Sequence, residues 1–170
     1  MPALDPSRTI RELEELRSLT ADERGAQRVA FTPTWSRARA WLRERFAGLR
    51  QTATIEDADM KIVRGLDKAL FAKLAAGDWM TRHQNLAIIG TTGLGKSWLA
   101  CALGHKACRD DRSVLYHRVP RLFDALALAR GDGRHARMLK TLSRVDLLIL
   151  DDWGLSAISQ DQARDLLEII

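Results

Sequence analysis

The chain has 170 residues, 46% hydrophobic and 29% charged, with a net charge of +5 and a pI near 9.7. That is one ordinary domain with an appendage, apolar enough for a real core, and basic enough to suit a nucleic-acid partner without requiring one. No apolar run approaches the ~20 residues that cross a bilayer, and the opening MPALDPSRTI lacks the basic-then-apolar layout of a secretory signal, so a cytoplasmic protein with no membrane partner is expected.

Residues 7–20 read as an amphipathic helix, with Ile10, Leu13, Leu16 and Leu19 at every third position. Residues 21–33 are polar and end at Pro33, which predicts a break. Thr34 to Arg50 reads as a second helix with one apolar stripe of Trp35, Ala38, Leu42, Phe46 and Leu49. Arg37, Arg39, Arg43 and Arg50 lie off that stripe. They suit either nucleic-acid contact or packing against a neighbouring domain. Gln51 to Asp59 reads as a linker.

Leu66, Leu70, Phe71 and Leu74 predict a third helix ending near Gly77, and Gly77-Asp78-Trp79 a turn. Leu86-Ala87-Ile88-Ile89 is a wholly apolar run, the mark of a strand buried on both faces. Ser97 to Arg109 then reads as a helix carrying Cys101 and Cys108. Two cysteines on one helix without a histidine pair read as buried thiols rather than a zinc site. Val114 to Tyr116 is a second short strand. Pro120 opens a further helix, where proline is tolerated, and Gly131-Asp132-Gly133 ends it. A helix over 134–145, a third strand over 145–150 and a helix from Asp161 complete the chain. Strands alternating with helices predict an α/β fold: a parallel sheet with helices on both faces. Residues 1–58 form a helical N-terminal region and 59–170 the sheet-bearing core.

Gly90-Thr91-Thr92-Gly93-Leu94-Gly95-Lys96-Ser97 matches the phosphate-loop pattern G-x-x-x-x-G-K-[ST] in full. Glycines let successive N–H groups turn inward on a phosphate. The helix that follows, beginning with Trp98 in its first turn, adds its N-terminal dipole. Lys96 can reach the β- and γ-phosphates, and the Ser97 hydroxyl can ligate Mg²⁺. Chance supplies such a match about once per hundred or more chains of this length. ATP with Mg²⁺ is therefore the expected ligand pair.

Leu147 to Leu150 followed by Asp151-Asp152 puts an acid at the C-terminal tip of a buried strand, where open parallel sheets bind ligands. Asp151 there would hold Mg²⁺, usually through water. Asp152 would polarise the water that attacks the γ-phosphate. The alternative is a strand capped by two solvated aspartates. Arg134, Arg137, Lys140 and Arg144 recur at spacings of 3, 3 and 4, which is either a stripe for DNA phosphates or a solvated face. Trp79 and Trp153 follow acids in motif-like settings and suit either the nucleotide or the core.

On these residues the chain resembles the IstB-like helper ATPases of bacterial insertion sequences, an AAA+ class of P-loop NTPases related to the DnaC helicase loaders. The segments that carry the resemblance are Arg64-Gly65-Leu66-Asp67, Gly77-Asp78-Trp79, the glycine loop, Ala100-Cys101-Ala102-Leu103-Gly104, and Arg144 through Gly154. The resemblance implies an ATPase that assembles as a homo-oligomer on double-stranded DNA and helps a transposase engage its target. Asp152 would stand where such proteins usually carry a glutamate. The family's sheet has five parallel strands in the order 5-1-4-3-2, of which this chain supplies three. The absent part carries a polar sensor and the arginine that completes a neighbour's site. The resemblance therefore implies a fragment or truncated copy with a gap in its sheet, which binds nucleotide but hydrolyses it poorly. A helicase loader, a nucleotide-binding remnant and a metabolite kinase remain the alternatives.

Overall fold

The computed structural model describes residues 6–23, 25–26, 30–58 and 67–170. Helix α1 (Pro6–Thr20) leads through a two-rung antiparallel pair, β1 (Ala21–Asp22) and β2 (Gly25–Ala26), to α2 (Pro33–Ala47). A 3-10 turn over Ile55–Asp57 follows, then α3 (Lys68–Ala76), α4 (Asp78–Thr81) and α5 (Lys96–Arg109). Strand β3 (Val114–Arg118), helices α6 (Val119–Gly131) and α7 (His135–Leu142), strand β4 (Leu147–Asp151) and helix α8 (Gln160–Ile169) close the chain.

The element edges follow local chemistry. The expected break lies between α1 and α2. Pro33 ends it in the first turn of α2, where its missing N–H costs nothing, behind Thr32, whose hydroxyl accepts the Trp35 N–H at 3.2 Å. Asp67 caps α3 by accepting the Ala69 and Leu70 N–H groups, and Gly77 ends it at φ 81°, a conformation that glycine adopts without strain. The expected turn at Gly77-Asp78-Trp79 is instead the entry to the one-turn helix α4. Ser159 and Gln162 form a reciprocal capping box that starts α8. Arg64 to Leu66 of the resemblance lie outside the described residues.

β3 and β4 pair in parallel, Val114 opposite Leu147 through Arg118 opposite Asp151. Alternation along each strand sorts their side chains to two faces. Leu115, Leu148 and Leu150 pack on Leu122, Phe123 and Leu126 of α6, Leu139 and Leu142 of α7 and Leu166 of α8. Val114, Tyr116, Leu147 and Ile149 pack on the other side against Ala107 and Cys108 of α5, Ala47 of α2 and Met80 of α4. This is the α/β layering expected of a P-loop core, with helices on both faces of a parallel sheet.

Three expectations need correction. Leu86 to Ile89 forms no strand: the segment has no regular structure, and Ile89 is 92% exposed. An apolar run becomes a strand only where a neighbour satisfies its N–H and C=O groups, and among the described residues none lies beside it. The strand order implied by the resemblance puts a further strand between this segment and β4. Second, α2 buries only part of its predicted stripe, Ala38 with Leu49 beyond the helix end. Phe46 is 76% exposed and Leu42 is exposed, whereas Ala38 and Ala47 are buried. The narrow approach to α5 selects small side chains, and Arg43 with its neighbour Arg39 lies over Asp111 just beyond α5. On α1 likewise only Leu16 and Thr20 are buried. Third, α7 is shorter than predicted. Arg134 stands at its N-cap, and Arg144 lies in the turn beyond it.

Candidate functional site

The loop from Gly90 to Gly95 lies open to solvent ahead of α5. Gly93 and Gly95 adopt φ 88° and 83°, in the left-handed region that a side chain would strain. Gly90 is crowded differently: a methyl there would come within 3.2 Å of the Leu94 side chain. Thr91, Thr92, Gly93 and Leu94 are exposed. Lys96 folds back over the loop and donates to the Gly90 and Thr91 carbonyls at 2.9 Å each. The amides of the first helical turn, Lys96, Ser97 and Trp98, have no partner within their own helix. A phosphate group would offer them an anionic acceptor and offer Lys96 a stronger one than two neutral carbonyls.

Strand alternation decides where Asp151 points. It follows Ile149 by two and so shares the face toward α5. There its carboxylate faces the start of α5, close enough to the Ser97 hydroxyl to be stabilised by it. This joins the two motifs across 54 residues of sequence. Asp151 Oδ2 accepts the Tyr116 hydroxyl at 2.5 Å, and Oδ1 accepts the Asp152 N–H at 2.9 Å. Burial pushes the Asp151 carboxyl up. The bonds from Tyr116 and Asp152, with the Ser97 hydroxyl and Arg50 nearby, outweigh that and hold it below its ordinary value. It is therefore an anion at neutral pH. Tyr116 is shifted the other way, by burial first and then by Asp151, so its hydroxyl stays a donor.

A hydroxyl and a neighbouring carboxylate beside a phosphate loop are the hard oxygen donors that Mg²⁺ prefers, so Ser97 and Asp151 fit that ion. Asp152 turns off the strand end at φ 58° and is ion-paired with the Arg118 guanidinium. Arg118 is the register partner of Asp151, so the last rung of the sheet places a cation beside both acids.

The remaining expectations divide. Trp98 packs on Ala53, Cys101 and Ala102, so its side chain serves the core and its amide faces the loop end of α5. Trp79 donates to the Leu74 carbonyl at 3.0 Å and packs with Ala107 and Cys108, near the end of α5 remote from Lys96. Trp153 is half-exposed just past the acids. Cys101 and Cys108 are free, buried thiols. Burial, then Glu44, pushes Cys108 up to about 11, so it is no nucleophile at neutral pH. Arg134, Arg137, Lys140 and Arg144 are all exposed, and Arg134 is paired with Asp132. The structure brings none of these four to the nucleotide loop. Sequence reasoning missed Tyr116, Arg118 and Arg50. The first two were recoverable from the β3–β4 register, whereas nothing local marks Arg50.

A family model for IstB-like ATP binding proteins matches residues 32–170. A putative insertion sequence ATP-binding protein of Sinorhizobium fredii is 66% identical over 128 residues, covering 75% of this chain and 52% of the relative. The putative ATP-binding protein of insertion sequence IS1162 from Pseudomonas fluorescens is 52% identical over 119 residues, or 70% of this chain and 52% of the relative. That of insertion sequence IS21 from Pseudomonas aeruginosa is 33% identical over 117 residues, or 69% and 44%. The chain spans about half the length of these curated relatives. The family match begins at residue 32, so it takes in α2 and the connector that follows, the part of the chain seated on the phosphate-loop helix. With a complete phosphate loop, an acid-tipped strand in contact with it and a family match over most of its length, the chain belongs to the IstB-like ATP-binding proteins.

Proposed function

We propose that this chain is the nucleotide-binding part of a DNA-associated ATPase that assists the transposase of an insertion sequence, with Mg²⁺ as cofactor. The observation that carries the reading is the complete phosphate loop ahead of α5 with Asp151, at the tip of β4, on the sheet face toward that helix and beside Ser97, which sets a phosphate cradle next to an acid suited to a metal. Lys96 would exchange the Gly90 and Thr91 carbonyls for β- and γ-phosphate oxygens. Ser97 would ligate the metal directly, and Asp151 directly or through water. Bound there, Mg²⁺ would neutralise charge on the phosphate oxygens. Asp152 would orient and polarise the attacking water, for which it must turn away from Arg118. Its side chain is one methylene shorter than a glutamate, so slow hydrolysis is expected of this chain. The names of its relatives favour transposition over helicase loading or a metabolite kinase.

Two experiments test this. Lys96→Ala should lower affinity for a fluorescent ATP analogue at least a hundredfold while the thermal melt stays within a few degrees. Retained affinity would remove the phosphate-loop reading. For DNA, Arg137→Ala with Arg144→Ala should weaken duplex binding and reduce the salt slope by about 2, one unit for each lost phosphate contact. An unchanged slope would return these side chains to a solvated face.

A further inference from the structure

Gln51 to Asp59 reads as a linker in the sequence, yet the connector over residues 48–57 is seated on the phosphate-loop helix. Ala53 is 0% exposed and packs on Cys101 and Ala102. Leu49 lies over Gly104 so closely that a methyl added there would come within 2.9 Å of its side chain. The Cys101 thiol lies against the backbone of Arg50 and Gln51, and Glu56 is paired with Arg109 at 3.0 Å. This seating carries Arg50 to the acids. Its guanidinium Nη1 stands 3.8 Å from Asp151 Oδ2, on the side where the Tyr116 hydroxyl also lies. Tyr116 gives its own hydrogen to that same Oδ2 at 2.5 Å.

We infer that Tyr116 is a positioning residue for Asp151 as a metal ligand, and that Arg50 supports the Tyr116–Asp151 pair from beside it, so that the connector 48–57 sets how well the nucleotide site takes its metal. The inference rests on the reading of the site as one for Mg²⁺ and nucleotide. The geometry ranks the two side chains. The phenol makes the short bond, within the sheet, to a half-buried carboxylate. Arg50 is about half exposed, and its distance from the carboxylate exceeds a direct hydrogen bond, so solvent screens its pull on Asp151. Hydrogen bonds that orient a metal-ligating group set metal affinity by about 10- to 100-fold. The phosphate loop touches neither residue, so affinity for nucleotide without metal should be insensitive to both.

The test is a titration of the full chain with a fluorescent ATP analogue, first in EDTA and then across free Mg²⁺, repeated with Mn²⁺ by electron paramagnetic resonance. Tyr116→Phe should leave metal-free nucleotide affinity within about twofold and raise the half-saturating metal concentration about tenfold, at the low end of that range. Arg50→Ala should shift the metal concentration in the same direction by a smaller factor, and Arg50→Lys should recover part of it. Its exposed guanidinium keeps the Arg50→Ala variant informative should Tyr116→Phe fold poorly. Unchanged metal dependence in Tyr116→Phe would overturn the inference. So would tighter metal binding in Arg50→Ala, which would make Arg50 a competitor for Asp151 and not a support. Wild-type chain that binds no nucleotide even with metal would remove the site reading itself, and the inference with it.

Discussion

Two apolar runs of similar make-up meet different fates. Leu147 to Leu150 forms most of β4, paired rung by rung with β3 and covered on both faces. Leu86 to Ile89 reads as well in the sequence, yet it has no regular structure just before the phosphate loop, with Ala87 and Ile89 exposed. The difference lies outside the runs. A strand is stable when neighbours take its backbone hydrogen bonds and cover its faces. β4 has β3 for the first task and α5 to α8 for the second. Apolar periodicity states a capacity to be buried; the partner decides whether burial occurs.

Substitutions can break or sharpen this contrast. The largest effect is expected at Ile149, buried between β3 and α5. Ile149→Ala should cost about 2–5 kcal/mol in a denaturant titration. A loss under 1 kcal/mol would mean that β4 is no better anchored than the other run. An intermediate effect is expected at Asp146, which ties the start of β4 to β3. Its Oδ2 accepts the Ser113 hydroxyl at 2.6 Å and the Ser113 N–H at 2.7 Å. Those bonds hold its carboxyl below the ordinary value. A depressed acid stabilises the fold above its unfolded pKa of about 4, and that contribution is lost as pH falls through the folded value. Asp146→Asn should therefore cost about 1 kcal/mol at pH 7. The gap between variant and wild type should close as melts are run below pH 4. The smallest effect is expected at Ile89, where Ile89→Ser should stay within about 0.5 kcal/mol. A larger loss would show that the run is buried in solution and that a partner covers it.

The same contrast explains what was legible. The glycine loop was legible because each of its requirements is local: glycines at left-handed positions, a lysine, and a hydroxyl at the start of a helix. Asp151 was legible because strand alternation and an acid at a strand tip are also local. The α2 stripe misled because a helix can meet its neighbour on a narrow face of Ala38 and Ala47 and leave Phe46 in water. Trp79 followed an acid as the motif segments do, but its indole completes the sheet's underside. Asp165 shows a similar gap in legibility. It reads as one more surface acid of α8, yet it is 3% exposed and accepts from Arg130 at 2.6 Å, with His135 Nε2 at 3.0 Å, tying α8 to α6 and α7.

By itself the amino-acid order determined the phosphate loop, the helix behind it, the acid-tipped strand and the caps that punctuate the helices. Each depends on residues within one or two turns of one another, where backbone geometry and side-chain chemistry act directly. The tertiary structure decided the rest. It brought Ser97 near Asp151, set Arg118 beside Asp152, laid the connector 48–57 on α5 so that Arg50 approaches Asp151, and among the described residues gave Leu86 to Ile89 no strand to pair with. These pairings join parts of the chain tens of residues apart, and only the register of β3 on β4 and the packing of helices on their two faces bring them together.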